Sequence, residues 1–243
     1  MMVTDVLVKI YKKRKMDFLL TATGFAVVLF ISLVAILAPY IAPYDPYVSV
    51  DEALLPPSSK HLMGTDNLGR DVYSRIIYGS RTVMVVVLTS TLVSLVLGST
   101  LGLVSGYFGG KVDRVLSIIM DSLYSFPGLI LAIAVAAMLG PGIVNTIVSI
   151  SVVYIPTYFR MVRGQTLSVK NSLYVEAAIA MGASHKTVLF DYIFPNVSVI
   201  IPVVFSMNVA DAVLTEAALS FLGLGGPAPI PDWGVDLKNG HRN

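Results

Sequence analysis

Residue types that carry chemistry are sparse and scattered in this chain. His61, His185 and His241 lie far apart, no His-Glu-x-x-His pairing occurs, and there is no cysteine. Neither a zinc-type catalytic centre nor thiolate chemistry therefore has a ligand set. The stretch most like a phosphate-cradling loop runs Ser105-Gly106-Tyr107-Phe108-Gly109-Gly110-Lys111-Val112. Serine stands where the first glycine is needed and valine where the final hydroxyl is needed, so nucleotide hydrolysis must come from another polypeptide. A Gly-x-Ser-x-Gly nucleophile elbow is also absent. The chain is expected to be no enzyme and to hold no metal or cofactor. What remains is charge in apolar surroundings. Asp121 and Asp211 interrupt hydrophobic segments, and a charge at a bilayer centre costs at least about 2.5–3.5 kcal/mol, so each must face protein or water. Asp121 follows Arg114 by seven residues on one helical face and is expected to pair with it. Asp211 has Asn208 three residues before it as a hydrogen-bonding neighbour; the two either line a translocation path or pack between helices.

The elements that must position these residues follow from composition. Of 243 residues 55% are apolar and 13% charged, roughly half the charged share of soluble domains, so lipid is the expected solvent. A net charge of +2 gives no reason to expect a nucleic-acid partner. About 20 apolar residues make a membrane helix. Five segments qualify: 18–38, a second within 82–110, a third and fourth sharing 115–159 and folded back at Leu139-Gly140-Pro141-Gly142, and a fifth near 197–219. Gly98 and Gly102 suit the second span to close helix packing.

Charge sets the expected orientation. Lys9, Lys12, Lys13, Arg14 and Lys15 precede the first span, which the positive-inside rule reads as a cytoplasmic N-terminus, 1–17. Span 18–38 is too long for a signal peptide and lacks a cleavage site. Residues 39–81 then lie outside, 82–219 form the membrane core, 165–196 face the cytoplasm and 220–243 lie outside. Eleven Lys or Arg fall on the inside segments, whereas the 39–81 loop holds four against five acids.

The 165–196 segment is long enough to bind something. Asn171 or Ser172 can cap a first helix through Glu176-Ala177-Ala178 to Met181; Gly182 suits its left-handed end, and Ser184 can cap a second helix toward Pro195. Ala177, Ala178 and Ala180 would admit a partner groove, with Tyr174 and Met181 as anchors; an amphipathic helix resting on headgroups fits the periodicity equally. Residues 68–77 read as a surface helix, with Leu68, Val72, Tyr73, Ile76 and Ile77 on one half and Arg70, Asp71, Ser74 and Arg75 on the other, and with Asp71 and Arg75 spaced to pair. It would be either a platform for a delivering protein or an anchor for the loop.

Glu176-Ala177-Ala178-Ile179-Ala180-Met181-Gly182, continuing to Ile193-Phe194-Pro195, resembles the EAA loop of ABC importer permeases. The segment His61-Leu62-Met63-Gly64-Thr65-Asp66-Asn67-Leu68-Gly69-Arg70-Asp71 is similar to the GTDxLGRD segment of the oligopeptide, dipeptide and nickel subgroup. Leu219-Ser220-Phe221-Leu222-Gly223-Leu224-Gly225 with Pro231-Asp232-Trp233-Gly234 is similar to its LSFLGLG and WG signature. A second Glu-Ala-Ala at 216–218 falls near the outer end of the fifth span, away from any ATPase. The resemblance implies an all-α, multi-span permease in a prokaryotic plasma membrane, importing peptides or a related solute by alternating access. Family members add one more apolar helix after the tryptophan, so a sixth span is expected to be missing. Implied partners are a second homologous permease, two ATP-binding subunits and an extracytoplasmic substrate-binding protein. Tyr174, Glu176, Ala177, Ala178, Met181, Gly182 and Pro195 would couple to the ATPase; Asp66, Arg70, Asp71 and Arg75 would receive the binding protein; Asn208 and Asp211 would line the path. An ATP-independent channel is the alternative, since a channel needs no catalytic residue.

Overall fold

The computed structural model describes residues 2–242, with side chains for residues 18–241. Side chains of the basic cluster at 9–15 lie outside the described residues. Helix dominates, and among the described residues the only β pairing is an isolated bridge between Thr65 and Asp71. The elements are α1 (Met2–Ile41), α2 (Val72–Phe108), α3 (Gly110–Tyr124), α4 (Gly128–Leu139), α5 (Ile143–Lys170), α6 (Leu173–Ala180), α7 (His185–Thr187), a π-helical segment (Val188–Ile193), α8 (Phe194–Ser198), α9 (Ile201–Phe221) and α10 (Trp233–Arg242). Four helices are long and apolar enough to cross a membrane, namely Phe18–Ile41 within α1, then α2, α5 and α9; α3 and α4 make a fifth candidate, bent by 92°. The all-α, five-span expectation therefore holds, with corrections.

The third span is not one straight helix. It breaks at Ser125-Phe126-Pro127, because Pro127 has no N–H to continue the ladder and excludes the preceding residue from the helical region. The reversal into α5 falls at Gly140-Pro141-Gly142, where Gly140 adopts φ +84° and Gly142 φ +150°. The fourth span does not end at 159; α5 continues to Lys170. Arg160 and Arg163 do not stop it, because each finds a carboxylate on α3. Arg160 Nη2 donates to Asp121 Oδ1 at 2.7 Å, and Arg163 donates to both oxygens of Asp113 at 2.5 and 2.7 Å. Asp121 is thus paired with Arg160 rather than with Arg114.

The chain forms two compact units, divided between Arg81 and Thr82. In the first, the 42–71 loop is organised by buried charge. Asp71 caps α2: its Oδ2 accepts from Ser74 N at 2.8 Å and from Ser74 Oγ at 2.7 Å, while Oδ1 meets His61 Nδ1 at 2.9 Å. Asp66 Oδ1 accepts from the backbone N–H of Leu68 and Arg70, and its Oδ2 accepts from Arg70 Nε at 2.7 Å. Arg75 Nη1 donates to Pro46 O at 3.0 Å. Near the edge, the Lys60 ammonium beside Asp51 holds that carboxyl down to about 2. Gly64 (φ +74°) and Gly69 (φ +73°) lie against the carbonyls of Leu55 and Asp51, where a Cβ would collide. The surface-helix reading of 68–77 is therefore inverted. Helix begins only at Val72, Leu68 is exposed, and Arg70, Asp71, Ser74 and Arg75 are the buried residues. Asp71 serves His61 and the helix N-terminus instead of pairing its side chain with Arg75.

In the second unit, α2 packs on α5 along a ridge of small residues, Ser90, Ser94, Gly98, Gly102 and Gly106, repeating every four positions. A Cβ on Gly98 would stand 2.5 Å from Ile155 O, one on Gly102 2.6 Å from Phe159 O, and one on Gly106 2.8 Å from Thr166 Cβ. Lipid offers no hydrophobic drive to pair helices, so close backbone approach and hydrogen bonds across the contact must hold it. Ser94 Oγ donates to Ser151 O at 3.0 Å and Ser151 Oγ to Ser90 O at 3.2 Å. Around this seam Val83, Val87, Ala132, Ala136, Ile150 and Leu219 close a core shared by α2, α4, α5 and α9. Helix α10 returns onto α9: Asp232 Oδ1 caps it through Gly234 N at 2.8 Å, and Ser220 Oγ lies 2.9 Å from carboxyl oxygens of both Asp232 and Glu216.

Two outcomes follow. Gly102→Val should force α2 and α5 apart and lower stability by about 1–3 kcal/mol, seen as a reduced unfolding temperature of the detergent-solubilised protein. Gly24→Val, where no atom lies within 4 Å of the added carbon, should leave it unchanged. Asp71→Ala removes the acceptor of His61 and the α2 cap, and should loosen the 42–71 loop by about 3–5 kcal/mol. Trypsin cleavage after the exposed Lys60 should then accelerate, whereas Leu62→Ala, an exposed position, should not change the rate.

Candidate functional site

The 165–196 segment is built from short, well-terminated helices. At its entrance Lys170 Nζ donates to Tyr107 O at 2.6 Å, so the end of α5 holds a free carbonyl at the end of α2. Ser172 is the N-cap of α6 by conformation; its carbonyl accepts from Val175 N and Glu176 N, while its hydroxyl turns back to Val169 O. The helix stops at Gly182, with φ +85°. Gly182 N donates to Ile179 O and Ala183 N to Ala178 O, a Schellman closure. Nothing lies within 4 Å of a Cβ built on Gly182, so glycine is required there for its backbone angle and not for space. Ser184 Oγ then accepts from Thr187 N at 3.2 Å and starts α7. The wider π turn that follows ends just before Pro195, which has no N–H to offer an α-helical ladder.

One side of this segment is fastened to the spans. Val175, Val188, Ile193 and Val197 pack with Leu103 and Tyr107 of α2 and Val162 and Val169 of α5. Tyr107 Oη lies 2.6 Å from His185 Nδ1, and the two rings meet edge to face. Ser105 Oγ donates to Asp113 at 2.5 Å, tying α2 to the Arg163–Asp113 pair. The other side is open. Leu173 is 83% exposed, Met181 79%, Ile179 50% and Tyr174 46%, all between positions 173 and 181. Four large apolar side chains left uncovered this closely mark a contact surface.

Of the residues singled out from sequence, Tyr174, Glu176, Ala177, Met181, Gly182 and Pro195 are exposed. Ala178 is not: it is 1% exposed and packs inward, because it falls three residues after the buried Val175 on the inner helical face. The two Glu-Ala-Ala copies differ in the same way, Glu176 being exposed and Glu216 buried against Ser220. The structure does not join Asn208 to Asp211. Asn208 is buried beside Tyr158, whereas Asp211 is exposed and its Oδ2 accepts from Tyr154 Oη at 2.8 Å. Tyr107, His185, Tyr154 and the Asp113–Arg163 pair escape sequence reasoning. Their partners lie 50 to 78 positions apart, beyond any local pattern.

A partly open apolar cavity of about 270 Å³ lies beside the segment, lined by Leu103, Val104, Val162, Phe190, Phe194 and Ile201 among others. No group of three or more His, Cys, Asp or Glu able to hold a metal occurs among the described residues.

Comparison with known proteins agrees with this architecture. Residues 20–57 match the family described as the N-terminal TM domain of oligopeptide transport permease C. A glutathione transport system permease protein GsiD from Pectobacterium atrosepticum is 44% identical over 219 residues, 89% of this chain and 72% of that protein. The protein of the same name from an Escherichia coli strain is 40% identical over 227 residues, 93% of this chain and 74% of its own length. Residues 98–240, from the glycine seam through the short-helix segment to α10, match the family described as binding-protein-dependent transport system inner membrane component. The chain is therefore a multi-pass membrane permease belonging to the binding-protein-dependent transport system family.

Proposed function

We propose that this permease imports peptides, powered by separate ATP-binding subunits that dock on the 165–196 segment. Peptide substrates are supported by the oligopeptide description matched at residues 20–57 and by relatives named for glutathione transport. The N-terminus and the 165–196 segment face the cytoplasm, in accord with the lysines and arginines counted there. The observation that carries the reading is the two-sidedness of α6. Val175 and Ala178 anchor it to the spans, while Leu173, Tyr174, Ile179 and Met181 stay uncovered, with Glu176 and Ala177 beside them. A rigid, short, apolar knob is what a moving partner needs in order to push on the membrane domain.

The remaining roles follow from this arrangement. A second, homologous permease completes the path, and an extracytoplasmic binding protein delivers substrate to the 42–71 loop. There Asp66, Arg70, Asp71 and Arg75 act by holding the loop's shape, and the exposed Leu62, Met63 and Leu68 supply contact. Force applied at α6 reaches α5 through Val169 and α2 through the Tyr107–His185 bond.

Glu176→Lys with Gly182→Asp should reduce uptake by about 10- to 100-fold, the effect of about 1.4–2.8 kcal/mol lost at an interface. It should weaken co-purification of the ATP-binding subunits and leave membrane insertion unchanged. Uptake at the wild-type level would refute docking at α6. Tyr107→Phe removes one hydrogen bond worth about 0.5–1.5 kcal/mol. It should keep the ATPase bound but lower solute moved per ATP hydrolysed by about 2- to 10-fold.

A further inference from the structure

Helix α9 is an apolar span of 21 residues, and Asp211 is its eleventh. Ten residues at 1.5 Å each put the carboxylate about 15 Å from either end, at the middle of a hydrocarbon layer roughly 30 Å thick. It is exposed, on the same stripe as Met207 one turn before it and Leu214 nearly one turn after. No described Lys, Arg or His comes within 4 Å of it. The Tyr154 hydroxyl supplies its one side-chain hydrogen bond. Thr215 Oγ1 stands 3.1 Å from that same hydroxyl, so the threonine can donate to the tyrosine oxygen and leave the tyrosine hydrogen for the carboxylate.

The next layer is also polar. Asn208, three residues earlier on α9, and Tyr158, four residues later on α5, lie side by side. Both are buried, and the Asn208 amide and Tyr158 hydroxyl turn to each other without a bond of good geometry. The Asp211 carboxylate therefore keeps unused acceptors on an exposed stripe of α9. A carboxylate without a cation at mid-span costs at least about 2.5–3.5 kcal/mol. A compact cation relieves that cost, and a peptide begins with one.

We propose that Asp211, oriented by Tyr154 and Thr215, is a subsite on the translocation path that receives the α-ammonium of the passing peptide. This deepens the peptide-import reading and rests on it for the identity of the solute. A site made of acceptors on a carboxylate and a phenol oxygen suits a point cation with three N–H donors. It disfavours a solute whose amine is acylated.

The chain has no cysteine, so a single thiol can report on the site without transport or a binding protein. Met207→Cys, one turn from Asp211, would be treated in membranes carrying the complete transporter with aminoethyl methanethiosulfonate, an ammonium, and with sulfonatoethyl methanethiosulfonate, an anion. The ammonium reagent should react faster relative to the anion by about tenfold or more, the focusing expected of one charge in a narrow polar cleft. Adding Asp211→Asn should abolish that preference. Alanyl-alanine should slow labelling, and propionyl-alanine, of the same shape without the amine, should not. Absence of reaction with either reagent, or a preference that survives Asp211→Asn, would overturn the subsite. Protection by both dipeptide analogues alike would do the same. Labelling as expected in a transporter that takes up no alanyl-alanine would leave the ammonium subsite standing and refute peptide import alone.

Discussion

The close approach of α2 and α5 is the constraint on which the rest of the permease depends. In lipid, apolar side chains gain little by leaving one neighbour for another, so helices associate where backbones can touch and hydrogen-bond. Gly98, Gly102 and Gly106 provide that contact, and Ser90, Ser94 and Ser151 extend it with paired bonds. Once α5 lies in this groove its other faces are set. Tyr154 and Tyr158 turn toward α9, and Val162 and Val169 toward the short helices. Tyr107 follows Gly106 directly, so the same contact brings its hydroxyl to His185.

Charge is distributed by what can neutralise it. At the end of the bundle near Tyr107, Asp113 and Asp121 pair with Arg163 and Arg160, and the Arg160 guanidinium also lies 3.9 Å above the Tyr124 ring. In the 42–71 loop, Asp66 and Asp71 are consumed by arginine, histidine and backbone N–H groups. These carboxylates hold the protein together. Asp211 differs from these four in having only hydroxyl support, on an exposed face of α9.

Helix breaks divide the long spans from the short helices. Helices α2, α5 and α9 are continuous over 21 to 37 residues, whereas the 173–198 segment ends one helix, begins another, and passes from α to π and back. Each change has a local cause in Gly182, Ser184 or Pro195. The segment rests on α2 and α5 through its apolar underside.

Much of this was legible in the residues themselves, because it is local. Apolar runs of about 20 residues must be helices in lipid, Gly140-Pro141-Gly142 must turn, and Gly182 and Ser184 must end and begin short helices whatever surrounds them. Chemistry absent from the sequence, such as a phosphate-binding loop or a histidine cluster, could likewise be read there. Which side of each helix faces inward was a tertiary decision. The charged half of 68–77 was expected at the surface and is buried, since Asp71 finds a cap and a histidine ten residues away, and Asp66 finds an arginine. Ala178 turned inward, Asp121 chose Arg160 over Arg114, and Asp211 took Tyr154 in place of Asn208. The physical reason is common to all four: a polar or small side chain has several partners within reach along the chain, and only the packing of distant helices selects one.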